Sequence, residues 1–193
     1  MKQNNFPAPL VDRVNDFHAM LWDDMQGINE QEILKDLPES LRNDIRQHLL
    51  HNLILNWEAF PRYNSRGAMQ TVIRKLRLQV IPKNEYVIRA GQLAEEMYFI
   101  VKGFCRVLNV DGSELAILKQ GQNFGEMALL NVQSPLRQAN VVSITKCSLA
   151  MLTKTDFEMI CEMYPTFQSK IFELAKQRKI QNLQKEKDMK ILI

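Results

Sequence analysis

The stretch "FGEMALLNVQSPLRQANV", residues 124–141, sets a Gly-Glu pair before a short apolar run and then leaves one arginine among uncharged neighbours. Gly125 permits a sharp turn and a close backbone approach. "EMALL" after it suits a single helical turn whose first N–H groups lack intrahelical partners. Such an N-terminus attracts an anion, and the backbone amides of Gly125 to Met127 are the ones it would offer. Arg137 adds a permanent planar charge with donors spaced for two phosphate oxygens. Glu126 repels a phosphate but is suited to accept a hydrogen bond from a sugar hydroxyl. Phosphate donors and a hydroxyl acceptor in one loop imply a nucleotide. Singly, a Gly-Glu pair is common and a lone loop arginine is a surface charge; the specificity lies in the combination.

Outward from this loop, β-branched and aromatic residues cluster in short runs from Leu78 onward. "PKNE", "AGQ", "KG", "DG" and "QGQ" separate them, the spacing of a compact all-β roll. Strands are expected near 78–81, 86–89, 97–101, 104–110, 114–118, 139–144 and 147–152, with Asp111-Gly112 as a hairpin turn. Thr155 with Glu158 has the form of a capping box opening a helix to Met163. Pro165 suits the first turn of a last helix with Phe167, Ile171, Leu174 and Ala175 on its apolar face. Beyond Gln181 the polar sequence predicts fraying. Upstream, residues 11–60 read as helical. Asn29 with Glu32 makes a helix start, and Leu41, Ile45, Leu49 and Leu53 repeat every fourth residue through a helix over 39–55. A short helix carrying Val72, Ile73 and Leu76 follows. The expected class is therefore α+β: an antiparallel, jelly-roll-like β-roll with flanking helices, preceded by a helical segment.

At 193 residues, 46% hydrophobic and 24% charged, the chain suffices for one buried core and a smaller appendage. Its apolar runs are too short or too interrupted to cross a bilayer, and Met1 to Leu10 lacks a signal-peptide pattern, so any membrane part is expected to lie outside this chain. Cys105, Cys147 and Cys161 fit neither a disulfide framework nor a zinc pattern, which points to a reducing compartment. The net charge of +3 divides into −5 over residues 1–60, +4 over 61–165 and +4 over 166–193. So mild a basic excess gives no footprint for nucleic acid. An enzyme finds little support. His48 and His51 are spaced i, i+3 without a third ligand, His18 stands apart, and nucleophile elbow, P-loop and kinase lysine motifs are missing.

The residues quoted from 124–141 resemble the phosphate-binding cassette of cyclic-nucleotide-binding domains, F-G-E, two residues, L-L, a short loop, then R-[TA]-A-x-V. Phe124, Gly125, Glu126, Leu129, Leu130, Arg137, Ala139 and Val141 supply its positions. The resemblance extends over about 78–180, including "EMYFIVKGFCRVL". It implies that Glu126 binds the ribose 2′-hydroxyl, that Arg137 binds the cyclic phosphate, and that Val107 and Leu118 line the base pocket. It also places Arg178, thirteen residues into the last helix, where similar channels reach toward the purine. The loop "NVQSP" is longer than in compact members. Gln138 stands where many members have Thr or Ala, so the threonine marker of cGMP preference is missing, and cAMP is the favoured ligand with cGMP the alternative.

"FHAMLWDDMQGINEQEILKDLPESLRNDI" resembles the C-linker that joins the pore of cyclic-nucleotide-gated and hyperpolarisation-activated channels to their binding domain. The resemblance implies a linker over 1–60, a binding domain with C-terminal lid helices over 61–193, a homo-tetramer assembled through the linker, and a place on the cytoplasmic face of a membrane. Cyclic-nucleotide-regulated exchangers and kinase-regulatory-type sensors remain alternatives. The latter usually carry tandem binding domains and an inhibitor sequence with clustered arginines. A transcription factor would need a helix-turn-helix module after the last helix.

Overall fold

The computed structural model describes residues 7–25, 37–55, 66–130 and 136–191. The expected helix start at Asn29 and the loop 131–135 lie outside them. In chain order the elements are helices α1 (Ala8–Met25), α2 (Glu39–Leu55) and α3 (Arg66–Lys75); strands β1 (Arg77–Ile81), β2 (Tyr86–Ile88), β3 (Glu96–Lys102), β4 (Phe104–Leu108), β5 (Glu114–Lys119) and β6 (Asn123–Phe124); the short helix α4 (Glu126–Leu130); strands β7 (Asn140–Ser143) and β8 (Cys147–Thr153); and helices α5 (Lys154–Met163) and α6 (Pro165–Ile191). The chain packs as two compact units, Met1–Ile45 and Arg46–Ile193. In the first, α1 starts on Pro7, whose carbonyl accepts from the Leu10 and Val11 amides. Arg42 Nη2 donates to the Leu37 carbonyl ahead of α2.

The second unit is a roll of two four-stranded sheets, ordered β1-β8-β3-β6 and β2-β7-β4-β5, with every paired strand antiparallel. Strand β3 explains how the unit is layered. Successive side chains of a strand point to opposite faces. Accordingly Met97 and Phe99 enter one buried cluster, with Leu50, Ile54, Val72, Phe157, Ile160, Phe167 and Ile171 of the helices and Leu76 just after α3. Tyr98 and Ile100 enter the other, inside the roll, with Ile88, Cys105, Phe124, Val141, Cys147 and Leu149. A strand buried on both faces reads as the continuous apolar run "MYFIV". Its partner β8 divides likewise: Ala150 and Leu152 join the helical cluster, Cys147 and Leu149 the roll interior.

Several elements depart from the sequence expectation. The cap of α5 is Thr153, not Thr155: its Oγ1 accepts from the Asp156 amide at 3.2 Å and donates to Asp156 Oδ2 at 2.9 Å. Strand β8 runs directly into the helix, so the cap falls two residues early. The hairpin after β4 is wider than a two-residue turn. The strand ends at Leu108, the Asn109 amide donates to the Ser113 carbonyl, and Asp111 Oδ1 accepts from the Ser113 amide at 2.8 Å. Helix α6 continues to Ile191 instead of fraying at Gln181, because the Gln, Lys, Glu and Leu that fill it there favour helix and no Gly or Pro interrupts them. The two-residue β6 was not foreseen. It pairs Tyr98 with Phe124 and Phe99 with Asn123, and so fixes the start of the quoted stretch against β3.

Candidate functional site

Phe124 stacks on Tyr98, ring centroids 5.3 Å apart, which anchors the chain just before its turn. Gly125 takes φ +89°, a left-handed conformation that favours glycine, and α4 begins at the next residue. A Cβ on Gly125 would stand 2.9 Å from Arg137 Nη1, so the close approach this glycine permits is to the arginine itself. Arg137 is held from its backbone as well. Its amide donates to the Gln92 carbonyl at 2.8 Å, its carbonyl accepts from the Gly91 amide at 2.9 Å, and the neighbouring Leu136 bridges to Leu93. The loop 89–93 therefore clamps the arginine independently of residues 131–135.

Only 5% of Arg137 is exposed. Nη1 donates to the Gly125 carbonyl at 2.9 Å and Nη2 to the Glu96 carbonyl at 2.5 Å. Burial lowers the guanidinium's pKa, while the charges of Glu96, Tyr98, Glu126 and Glu95 oppose that shift. An arginine in a protein nevertheless keeps its proton. The Glu96 carboxylate lies close by, its Oε1 3.7 Å from Nη2. The same oxygen accepts the Tyr98 hydroxyl at 2.8 Å. Burial first, then the hydrogen bond and charge of Glu96, push the Tyr98 phenol well above its usual value and keep it a donor. Glu126 is 3% exposed and accepts from Asn123 Nδ2 at 3.2 Å.

Gly125, Glu126 and Arg137 thus converge. Met127 is half-buried on α4. Gln138, next to the buried Arg137, is exposed. Val107 and Leu118 pack against the roll interior with Ile88 and Val141, Val107 standing opposite Val141 across β4 and β7. Arg178 lies on α6, and its side chain is outside what is described. Glu96 and Tyr98 were missed as site residues. The "EE" at the mouth of β3 was their only signal, 41 residues before Arg137. Among the described residues no group of three or more His, Cys, Asp or Glu side chains could hold a metal ion, and no helix is long and apolar enough to cross a membrane.

Residues 78–164, from the second residue of β1 to the residue after α5, match the cyclic nucleotide-binding domain family. This segment belongs to that family. Over 173 residues, 87% of the chain, the sequence is 32% identical to the "Cyclic nucleotide-gated cation channel" of Ictalurus punctatus, of which it covers 25%. Over 164 residues, 85% of the chain, it is 30% identical to the "Voltage-gated inwardly rectifying potassium channel KCNH7" of Mus musculus, covering 14% of that protein. The "Potassium voltage-gated channel unc-103" of Caenorhabditis elegans is 29% identical over 164 residues, with 20% of its length covered. The chain thus spans a quarter or less of these relatives.

Proposed function

We propose that this chain is the ligand-sensing module of an ion channel: it binds a cyclic nucleotide, cAMP in preference to cGMP, and passes a conformational change to a pore outside this chain. The observation that carries the reading is the buried positive charge of Arg137 held against Gly125 with Glu126 alongside, inside a cyclic nucleotide-binding domain. A cyclic phosphate is a singly charged anion. The two carbonyl bonds of Arg137 occupy two of the five guanidinium N–H donors and leave the others for phosphate oxygens. Glu126 takes the ribose hydroxyl. Val107 and Leu118 form an apolar wall for the base, which by itself discriminates poorly between purines.

Transmission follows from β3, whose alternate side chains enter both the roll interior and the helical core that holds Phe167 and Ile171 of α6. A ligand that prefers one position of that helix shifts the balance between positions by its differential affinity. The proposed site is the cytoplasmic face of a membrane, with four copies joined through residues 1–60. Calorimetric titration tests the core of the reading. The intact chain is expected to bind cAMP, and Arg137→Ala to weaken it by about 30-fold or more. Unchanged affinity in a folded variant removes Arg137 from the site.

A further inference from the structure

We propose that Glu96 is a built-in counter-ion that occupies Arg137 in the ligand-free domain and competes with the cyclic phosphate for it, so that this carboxylate sets the affinity of the site. The inference rests on the reading of Arg137 as the phosphate-binding residue. A guanidinium whose side chain is 4% exposed needs a compensating charge when no ligand supplies one. The Glu96 carboxylate meets that need loosely. Its Oε1 stands 3.7 Å from Nη2, beyond hydrogen-bond distance, and is directed instead by the Tyr98 hydroxyl at 2.8 Å.

The orientation of Arg137 has a separate source. Nη1 and Nη2 are fixed by the carbonyls of Gly125 and Glu96, main-chain groups that stay in place whatever the Glu96 side chain does. The carboxylate therefore supplies charge, while the backbone supplies geometry. Its side chain is 29% exposed, so water can take it over when a phosphate arrives. From then on the phosphate and the Glu96 carboxylate share the same cation, and the carboxylate opposes the ligand. Tyr98 joins this device to the cassette: it stacks on Phe124, the residue before Gly125, while its hydroxyl holds Glu96.

The decisive variant is Glu96→Gln, which removes the charge, keeps the shape and still accepts from Tyr98. Calorimetric titration with cAMP is run on the intact chain, Glu96→Gln, Arg137→Ala and the double variant, with thermal unfolding measured without ligand. Glu96→Gln is expected to bind cAMP about 3- to 30-fold more tightly, while the ligand-free protein melts at a lower temperature. A purely structural residue would lose both. In the Arg137→Ala background the gain is expected to vanish. Equal or weaker cAMP binding by Glu96→Gln, or a gain that persists without Arg137, overturns the proposal. Glu96→Ala removes the same charge and carries the same outcomes should the amide variant not fold. Arg137→Ala binding as well as the intact chain sinks the phosphate-site reading itself. Weak binding by Arg137→Ala with no gain in Glu96→Gln sinks only this inference. If neither the intact chain nor Glu96→Gln binds cAMP at millimolar concentration, both fall.

Discussion

Gly125 concentrates the demands of the site in one residue. An added Cβ would meet Arg137 Nη1 at 2.9 Å, Ile88 Cδ1 at 3.2 Å and the Glu96 carbonyl oxygen at 3.3 Å, all at a positive φ. Gly125→Ala is therefore expected to destabilise the domain by about 1–3 kcal/mol and to displace the arginine. In a denaturant titration the midpoint falls, and in a cAMP titration the affinity falls with it. Native affinity in the alanine variant would show that the guanidinium can shift without consequence. Glu126→Gln makes a graded contrast. An amide oxygen still accepts from a hydroxyl, so its loss of cAMP affinity is expected to stay below that of Arg137→Ala. An equal or larger loss contradicts the assignment of sugar to Glu126 and phosphate to Arg137.

At the scale of elements, α5 is tied to α3 through one side chain. Asp156 accepts from the Thr153 cap hydroxyl and pairs with Lys75 Nζ at 3.0 Å. Burial raises its pKa, but hydrogen bonds from Lys75 and Thr153 and the charges of Lys75 and Arg77 outweigh that and hold it below the usual carboxylate value. A folded pKa below the unfolded one, about 3.9, means that the stabilisation is complete above that pH. It disappears as pH falls through the folded value. Asp156→Asn is expected to lower stability by about 1 kcal/mol at pH 7, and the two proteins are expected to converge in thermal melts as the pH falls below the unfolded carboxylate value and through the folded one. A pH-independent difference would assign the effect to packing. This helix also marks where the sequence is legible. Thr155 with Glu158 and Thr153 with Asp156 satisfy the same i, i+3 pattern, and the pairing of β8 through Thr153 with Glu96 decides between them. Strand β3 was readable as a continuous apolar run and α2 as a helix from its i, i+4 apolar repeat, although Leu41 and Ile45 of that repeat are exposed and it is Leu50 and Ile54 that are buried. Two-residue β6 has no alternation to read. Gly125, Glu126 and Arg137 fall within 13 residues and stood out together, whereas Glu96 reaches Arg137 across 41 residues and only the β3–β6 pairing reveals it.

For the whole molecule, the place of a truncation separates assembly from stability. The proposed linker runs through residue 60, yet Leu50 and Ile54 in the second half of α2 are fully buried in the helical core of the unit Arg46–Ile193. Truncating either to alanine would cost about 2–5 kcal/mol, and losing both approaches the whole stability of a domain, about 5–15 kcal/mol. A fragment of residues 61–193 is therefore expected to melt far below the intact chain or not to fold. A fragment of residues 46–193 keeps those side chains and is expected to retain both a cooperative melt and cAMP binding. If the leading helices carry the proposed fourfold contacts, sedimentation of the 46–193 fragment shows monomer at concentrations where the intact chain forms tetramers. Persistent tetramers would move the assembly surface onto the roll or α6. Equal melting of the two fragments would show that Leu50 and Ile54 contribute nothing, contrary to their burial beside Val72 and Leu76. A folded, monomeric, cAMP-binding 46–193 fragment would fix sensing in the roll and assembly in the segment before it.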